Sequence, residues 1–247
     1  MSFHKFILPL MILSSVVGFV GCGGETTATL VPETPVPQVE TPKKPLPVIT
    51  GNPNAVVGED GETRLHVAAK NGNIPLVEAL IIAGADVNQS DEHGWAALHM
   101  AKNVAVIKVL LANGADINQA SNNGRRPLHG ASFDGDVEAV KVLIANGANV
   151  NSTDNDGGTP LLSASAGLGE NVRGNVEAVK VLIANGANVN QTDKVGWTPL
   201  HMASKTGHVE AIKVLLASGA DKTSKDTDGK TPLDHAENDS VKALLRF

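Results

Sequence analysis

A single cysteine, Cys22, among 247 residues rules out any disulfide within the chain. Metal chemistry lacks its raw material: there is no H-x-x-x-H and no C-x-x-C, and zinc wants three or four converging ligands. Catalytic signatures are missing as well. Neither G-x-S-x-G nor G-x-x-x-x-G-K-[ST] occurs, and Gly167-Leu168-Gly169 is a bare glycine pair. Charge argues against nucleic acid. The formal net charge is −6, one unit lower once Lys5 is lost with the leader, and no basic stripe interrupts it. No apolar run is long enough to cross a bilayer. The longest, residues 6–20, would span roughly 22 Å as a helix against a hydrocarbon core of about 30 Å. These absences predict a chain that is not an enzyme and carries no cofactor.

What is present is a repeat. Six glycines, Gly61, Gly94, Gly124, Gly157, Gly196 and Gly229, open six similar stretches at separations of 33, 30, 33, 39 and 33 residues. A fixed period in this range signals stacked supersecondary units. The fifth stretch, GWTPLHMASKTG, shows the logic. Thr198 suits an N-cap, Pro199 suits the first helical position, and Gly207 ends the helix. A second helix follows with one apolar face: Val209, Ile212, Leu215, Leu216. The same face recurs as Ile74/Val77/Leu80/Ile81, Val104/Ile107/Leu110/Leu111, Val137/Val140/Leu143/Ile144 and Val176/Val179/Leu182/Ile183. Each second helix stops at a glycine, Gly84, Gly114, Gly147, Gly186 or Gly219, where a left-handed C′ residue is expected. One helix pair cannot bury its stripe alone, so the units must stack into a one-dimensional solenoid.

The units GETRLHVAAKNG, GRRPLHGASFDG, GWTPLHMASKTG and GKTPLDHAEN resemble the ankyrin repeat, with its glycine turn and T-P-L-H-x-A start. The resemblance covers residues 58–247. It implies an all-α solenoid of helix-turn-helix units with β-hairpin-like finger loops. It also implies protein recognition through finger tips and a concave helical face. The expected units are 58–90, 91–120, 121–153, 154–192, 193–225 and 226–247.

Three units depart from the pattern. The second has Ala96-Ala97 in place of Thr-Pro and lacks three residues between Ala101 and Val104, so a truncated first helix or inter-helix turn is expected. The fourth carries six extra residues within 164–173 and has Leu162 where the others have histidine. Insertions of this kind map to loops on one face of an array, often the binding face. The last has a shortened second helix, Val241/Leu244/Leu245, and reads as a C-terminal cap. The first, with Arg64 in place of proline and a charged turn, reads as the opposite cap.

Ahead of the repeats lie a leader and a tether. Residues 1–21 have a short basic start and an apolar core, the form of a signal peptide. Phe19-Val20-Gly21-Cys22 resembles the lipobox of bacterial lipoproteins, with Phe19 where an aliphatic residue is usual. The resemblance implies lipidation at Cys22. It places the protein as a lipid-anchored membrane protein in the bacterial cell envelope, facing the periplasm or the exterior. Several buried acyl chains, at about 0.8 kcal/mol per CH₂, would hold it firmly. Residues 22–57 then form the anchored cysteine and a proline-rich linker, with Pro32, Pro35, Pro37, Pro42, Pro45, Pro47 and Pro53. As polyproline II, residues 25–55 would reach roughly 95 Å.

Candidate chemistry is thin within the repeats. His66, His99, His129 and His201 fall at one position of four units, and the resemblance implies structural hydrogen bonding within and between repeats. Asp91, Asp154, Asp193 and Asp226 recur at turn entrances and read as turn residues. The two tryptophans, Trp95 and Trp197, follow turn glycines at finger tips, where an aromatic anchor would serve binding. Alternatively each indole lies flat on the next finger. Glu92, His93, Asn123, Arg125, Phe133, Lys194, Lys205 and Lys230 hold the equivalent tip and helix-end positions. Together these ten residues are the expected contact set for a protein partner, on a monomeric scaffold. The partner would be another envelope protein, or a toxin that an immunity-type lipoprotein neutralises. A passive spacer is the competing reading.

Overall fold

The computed structural model describes residues 45–167 and 172–246; of residues 172–174 it gives the backbone alone. The leader, Cys22 and most of the proline-rich linker lie outside the described residues, as do residues 168–171 of the insertion.

Twelve helices are found among the described residues, in six pairs: α1 (Arg64–Lys70) with α2 (Ile74–Ile82), α3 (Ala97–Met100) with α4 (Val104–Ala112), and α5 (Pro127–Asp134) with α6 (Val137–Ala145). Then follow α7 (Pro160–Ala166) with α8 (Val172–Ala184), α9 (Pro199–Thr206) with α10 (Val209–Ala217), and α11 (Pro232–His235) with α12 (Asp239–Arg246). First helices pack on first helices and second helices on second helices, giving two parallel rows. The fold is therefore the all-α solenoid that the period requires.

The first five units deliver a leucine from the first helix to a continuous core, Leu65, Leu98, Leu128, Leu161 and Leu200, all buried, and Leu233 of the last unit packs against it partly buried. The second helices add Val77/Leu80, Ile107/Leu110, Val140/Leu143, Val179/Leu182, Ile212/Leu215 and Val241/Leu245. Burial of one such side chain contributes about 1.5–3 kcal/mol. The outer members of the predicted stripe, such as Val209 and Leu216, are only partly buried. Their place on the inner face is taken by Val106, Ala139, Ala178 and Ala211. These mostly small side chains let the helices approach closely.

The helix ends follow the local chemistry. Thr198 Oγ1 accepts the His201 N–H at 3.3 Å, Pro199 opens α9, and Gly207 ends it in the left-handed region at φ 77°. The glycines after the second helices are left-handed too, Gly84 to Gly219 at φ 84° to 96°. The fingers close by hairpin-type bonds, such as Asp91 N–H to the Trp95 carbonyl at 2.9 Å. They are too short for a strand ladder: only an isolated bridge, Val56 with Thr63, is found among the described residues.

Ordered structure extends upstream of residue 58. Ile49 packs against the core, Arg64 donates to the Thr50 carbonyl at 3.1 Å, and Asn54 bonds Asp86 N–H at 2.8 Å. This stretch covers the open side of the first unit.

The two irregular units differ in how they absorb their length change. In the second, the first helix is truncated: α3 has four residues where α5 and α9 have eight, and Ala101 leaves it in extended conformation. In the fourth, Gly167 lies outside the helices, whereas the rest of the described insertion is helical. It lengthens α8 to thirteen residues, against nine in α6 and α10. Asn175 holds the position that caps other second helices, where Asn73, Asn103 and Asp136 each accept an N–H. Swallowed into the longer helix, it is buried and donates to the Phe133 carbonyl at 2.9 Å, in the neighbouring unit.

Candidate partner-binding face

Four of the fingers are positioned by an aspartate at the turn entrance; in the third unit Ser121 stands there and Asn123 Oδ1 accepts the Arg125 N–H at 3.3 Å. Asp91 Oδ1 accepts the N–H groups of His93 and Trp95, at 2.9 and 2.8 Å. Asp154, Asp193 and Asp226 do the same in their own turns. The aspartates are thus turn residues, as their placement implied. Adjacent fingers are then tied by backbone bonds, Glu92 N–H to Asp60 O and Asn122 N–H to His93 O, each at 2.9 Å. Gly94 must stay a glycine here, because a Cβ would lie 2.5 Å from the Asn122 side chain.

The repeated histidines lock first helices to fingers. In His66, Nδ1 accepts the Thr63 N–H at 3.0 Å and Nε2 lies 2.8 Å from the Trp95 carbonyl of the next unit. His99 reaches the Arg125 carbonyl, His129 that of Gly158 and His201 that of Lys230, each at 3.2 Å. With Nδ1 taken by an N–H donor, the neutral ring with hydrogen on Nε2 satisfies both partners. Burial pushes the pKa of His99, His129 and His201 down, outweighing the carbonyls that would raise it. Leu162 breaks the series, so the fourth unit lacks this bond to the fifth. The last unit substitutes a carboxylate: Asp234 Oδ2 accepts the Thr231 N–H and hydroxyl at 2.8 Å.

A second ladder runs along the loops after the second helices. Asn88 donates to the Gly114 carbonyl and accepts the Asp116 N–H, at 3.0 and 2.7 Å. Asn118, Asn151 and Asn190 repeat both bonds. The recurrent asparagine after G-A-[DN]-[VI] is the signal of this ladder in the sequence.

The ten candidate contact residues divide. Glu92, His93, Asn123 and Lys194 are exposed at the tips. Lys205 is paired with Glu237 of the last unit, and Lys230 lies 3.9 Å from Asp228. Arg125 reaches Asp154 at 3.6 Å. Phe133 is 40% exposed at the end of α5. The tryptophans are half-buried, not projecting. Trp197 packs on His235 of the next unit at 4.6 Å, with His235 bonded to Asp226 at 2.6 Å. Trp95 rests beside its own His99 at 5.9 Å and has no ring of the next finger over it. Cys22 lies outside the described residues.

A groove of about 1060 Å³ connects several of these residues. It opens on the first-helix row where α3 stops short. Met100, Ala101 and Lys102 form its floor, Lys70 one side, and Gly130 and Phe133 of α5 the other. A smaller hollow on the finger side shares Trp95 and Met100 with it. The missing half of α3 leaves this space, and sequence spacing predicts the truncation but not the cavity. Among the described residues no cluster of histidine, cysteine, aspartate or glutamate could hold a metal ion. None of the described helices is long and apolar enough to cross a membrane.

Three copies of the ankyrin-repeat family model match residues 46–121, 102–173 and 170–246, and the chain belongs to the ankyrin-repeat family. Shorter similarities reach three further proteins. RelA-associated inhibitor of Mus musculus is 54% identical over 43 residues, 17% of this chain and 5% of that protein. Notch-regulated ankyrin repeat-containing protein A of Danio rerio is 43% identical over 44 residues, 18% of this chain and 39% of that protein. Protein phosphatase 1 regulatory subunit 27 of Homo sapiens is 43% identical over 47 residues, 19% and 30% of the two chains. The chain spans well under half the length of each.

Proposed function

We propose that this chain is a non-catalytic protein-binding scaffold, using the groove over α3 and the finger tips of the second and third units as its contact surface. The carrying observation is the groove itself. It is a concave apolar surface with half-exposed Trp95 and Phe133 at its edge, on elements held rigid by the histidine links. A preformed surface with aromatic anchors is what a stable protein contact uses. Two of the similar proteins are named as an inhibitor associated with RelA and a regulatory subunit of a phosphatase, which agrees with a binding role.

The leader and Cys22 support a second part of the proposal: a lipid anchor in a bacterial envelope, with the proline-rich linker as spacer. On this reading the partner is an envelope protein or a toxin whose action the scaffold blocks. Capture of proteins from the envelope fraction with the full chain tests the proposal, with Trp95→Ala/Phe133→Ala as control. Loss of a specific partner in the double variant supports the groove; equal recovery by both forms removes it.

A further inference from the structure

Three-residue loss in the second unit does more than shorten a helix. It brings an apolar groove next to a finger surface whose negative charge is not neutralised. The basic side chains in the walls are already engaged: Lys70 with Glu62 at 3.2 Å, Lys102 with Asp134 at 3.6 Å, and Arg125 with Asp154 at 3.6 Å. On the finger side the balance is different. Asp60 is exposed, with only His93 near it at 3.8 Å. Glu92 is exposed and makes no ion pair among the described residues. Asp91 spends one oxygen on its turn. Asp60 and Asp91 line the finger-side hollow together with Trp95, which also lines the groove, and Glu92 follows Asp91 on the same tip.

Resting on the protein-binding reading above, we propose that the groove receives a basic amphipathic segment of the partner protein. Its apolar side chains would seat over Met100 and Phe133. Its Lys or Arg side chains would lie on Trp95 and meet Asp60, Asp91 and Glu92. A cation over an indole face is attracted by the ring quadrupole, and neighbouring carboxylates add to it. An acidic segment would meet repulsion at the fingers and find no free cation in the walls.

The test uses the full chain in mild detergent and two fluorescent twelve-residue peptides. One alternates leucine with arginine; its twin has glutamate for arginine. Anisotropy should show saturable binding of the basic peptide, weaker by tenfold or more for the twin and weakened by added salt. Two variants locate the site. Asp60→Lys/Glu92→Lys alters only exposed charge. Insertion of Ser-Lys-Thr after Ala101, as the fifth unit carries at Ser204, Lys205 and Thr206, rebuilds the helix and fills the groove. Each should lose at least tenfold for the basic peptide, with an unchanged circular dichroism spectrum. Equal binding of both peptides, or basic-peptide binding that neither variant changes, overturns the proposal. Failure of both peptides, while an envelope protein is still captured through Trp95 and Phe133, overturns the charge assignment and leaves the scaffold reading standing. Crosslinking of the chain alone into a dimer that the insertion abolishes would give the groove to a second copy instead, and overturn it too.

Discussion

His66 Nε2 lies 2.8 Å from the carbonyl of Trp95, so one ring ties the first helix of the first unit to the finger of the second. The bond is buried at the histidine, and its other nitrogen is occupied by the Thr63 N–H. Replacing His66 with alanine leaves that N–H and the Thr63 hydroxyl without their partner. The expected loss is about 1–3 kcal/mol of unfolding free energy, read by urea denaturation.

The fourth unit offers the converse experiment. Leu162 stands where four other units place this histidine, and the unit keeps its Thr159 cap. Leu162→His should restore a bond to the Trp197 carbonyl and raise stability by about 0.5–1.5 kcal/mol. A lower melting temperature would show that the longer α8 has repacked the site against a ring.

Acid should weaken the fold through the same residues. His99, His129 and His201 stay neutral in the fold because burial holds their pKa down. As pH falls, the unfolded chain therefore takes up protons first, near pH 6.5. Their contribution is full above that value and is lost as pH drops toward the folded-state values. At His129 the Asp154 charge opposes the shift while Arg125 and Arg126 deepen it. Stability measured from pH 7.5 to 5.5 should decline, and His129→Leu should flatten the slope. A rise in stability over this interval would contradict the neutral-ring assignment.

Much of this architecture is legible in the primary structure. Glycine spacing sets the units, and Ile212/Leu215 sets the middle of the second-helix face, because both follow from local geometry. What escaped reading is what depends on neighbours. Val106 and Ala178 face the core only because an adjacent first helix approaches there. Trp197 looks like a projecting tip residue until His235 of the next unit closes on it. Asn175 stands where the other second helices have a cap, and makes an inter-unit bond because the insertion extends α8 past it. The groove is the clearest case: a gap of three residues is visible in the spacing, but its walls come from α1 and α5.

Gly167 tests the fourth unit's packing. A Cβ there would sit 1.7 Å from the Asn175 amide and 2.6 Å from the Phe133 carbonyl. Gly167→Ala should cost about 1–3 kcal/mol by forcing a shift in this close-packed corner. Thermal melting beside Gly186→Ala, whose Cβ meets nothing within 4 Å but whose φ is 87°, separates crowding from backbone strain.

The anchor has its own experiment. In a bacterial host the chain should label with radioactive palmitate and sediment with membranes, and Cys22→Ser should lose both. Labelling that survives the substitution would remove the lipid anchor from the account.

Hydrogen exchange on the full chain, with and without a captured protein partner, asks most directly whether the truncated second unit is the binding surface. The account predicts added protection in residues 91–102 and 125–137, with the outer helices α2, α8 and α10 unchanged. Protection confined to those outer helices, or to units five and six, would contradict it.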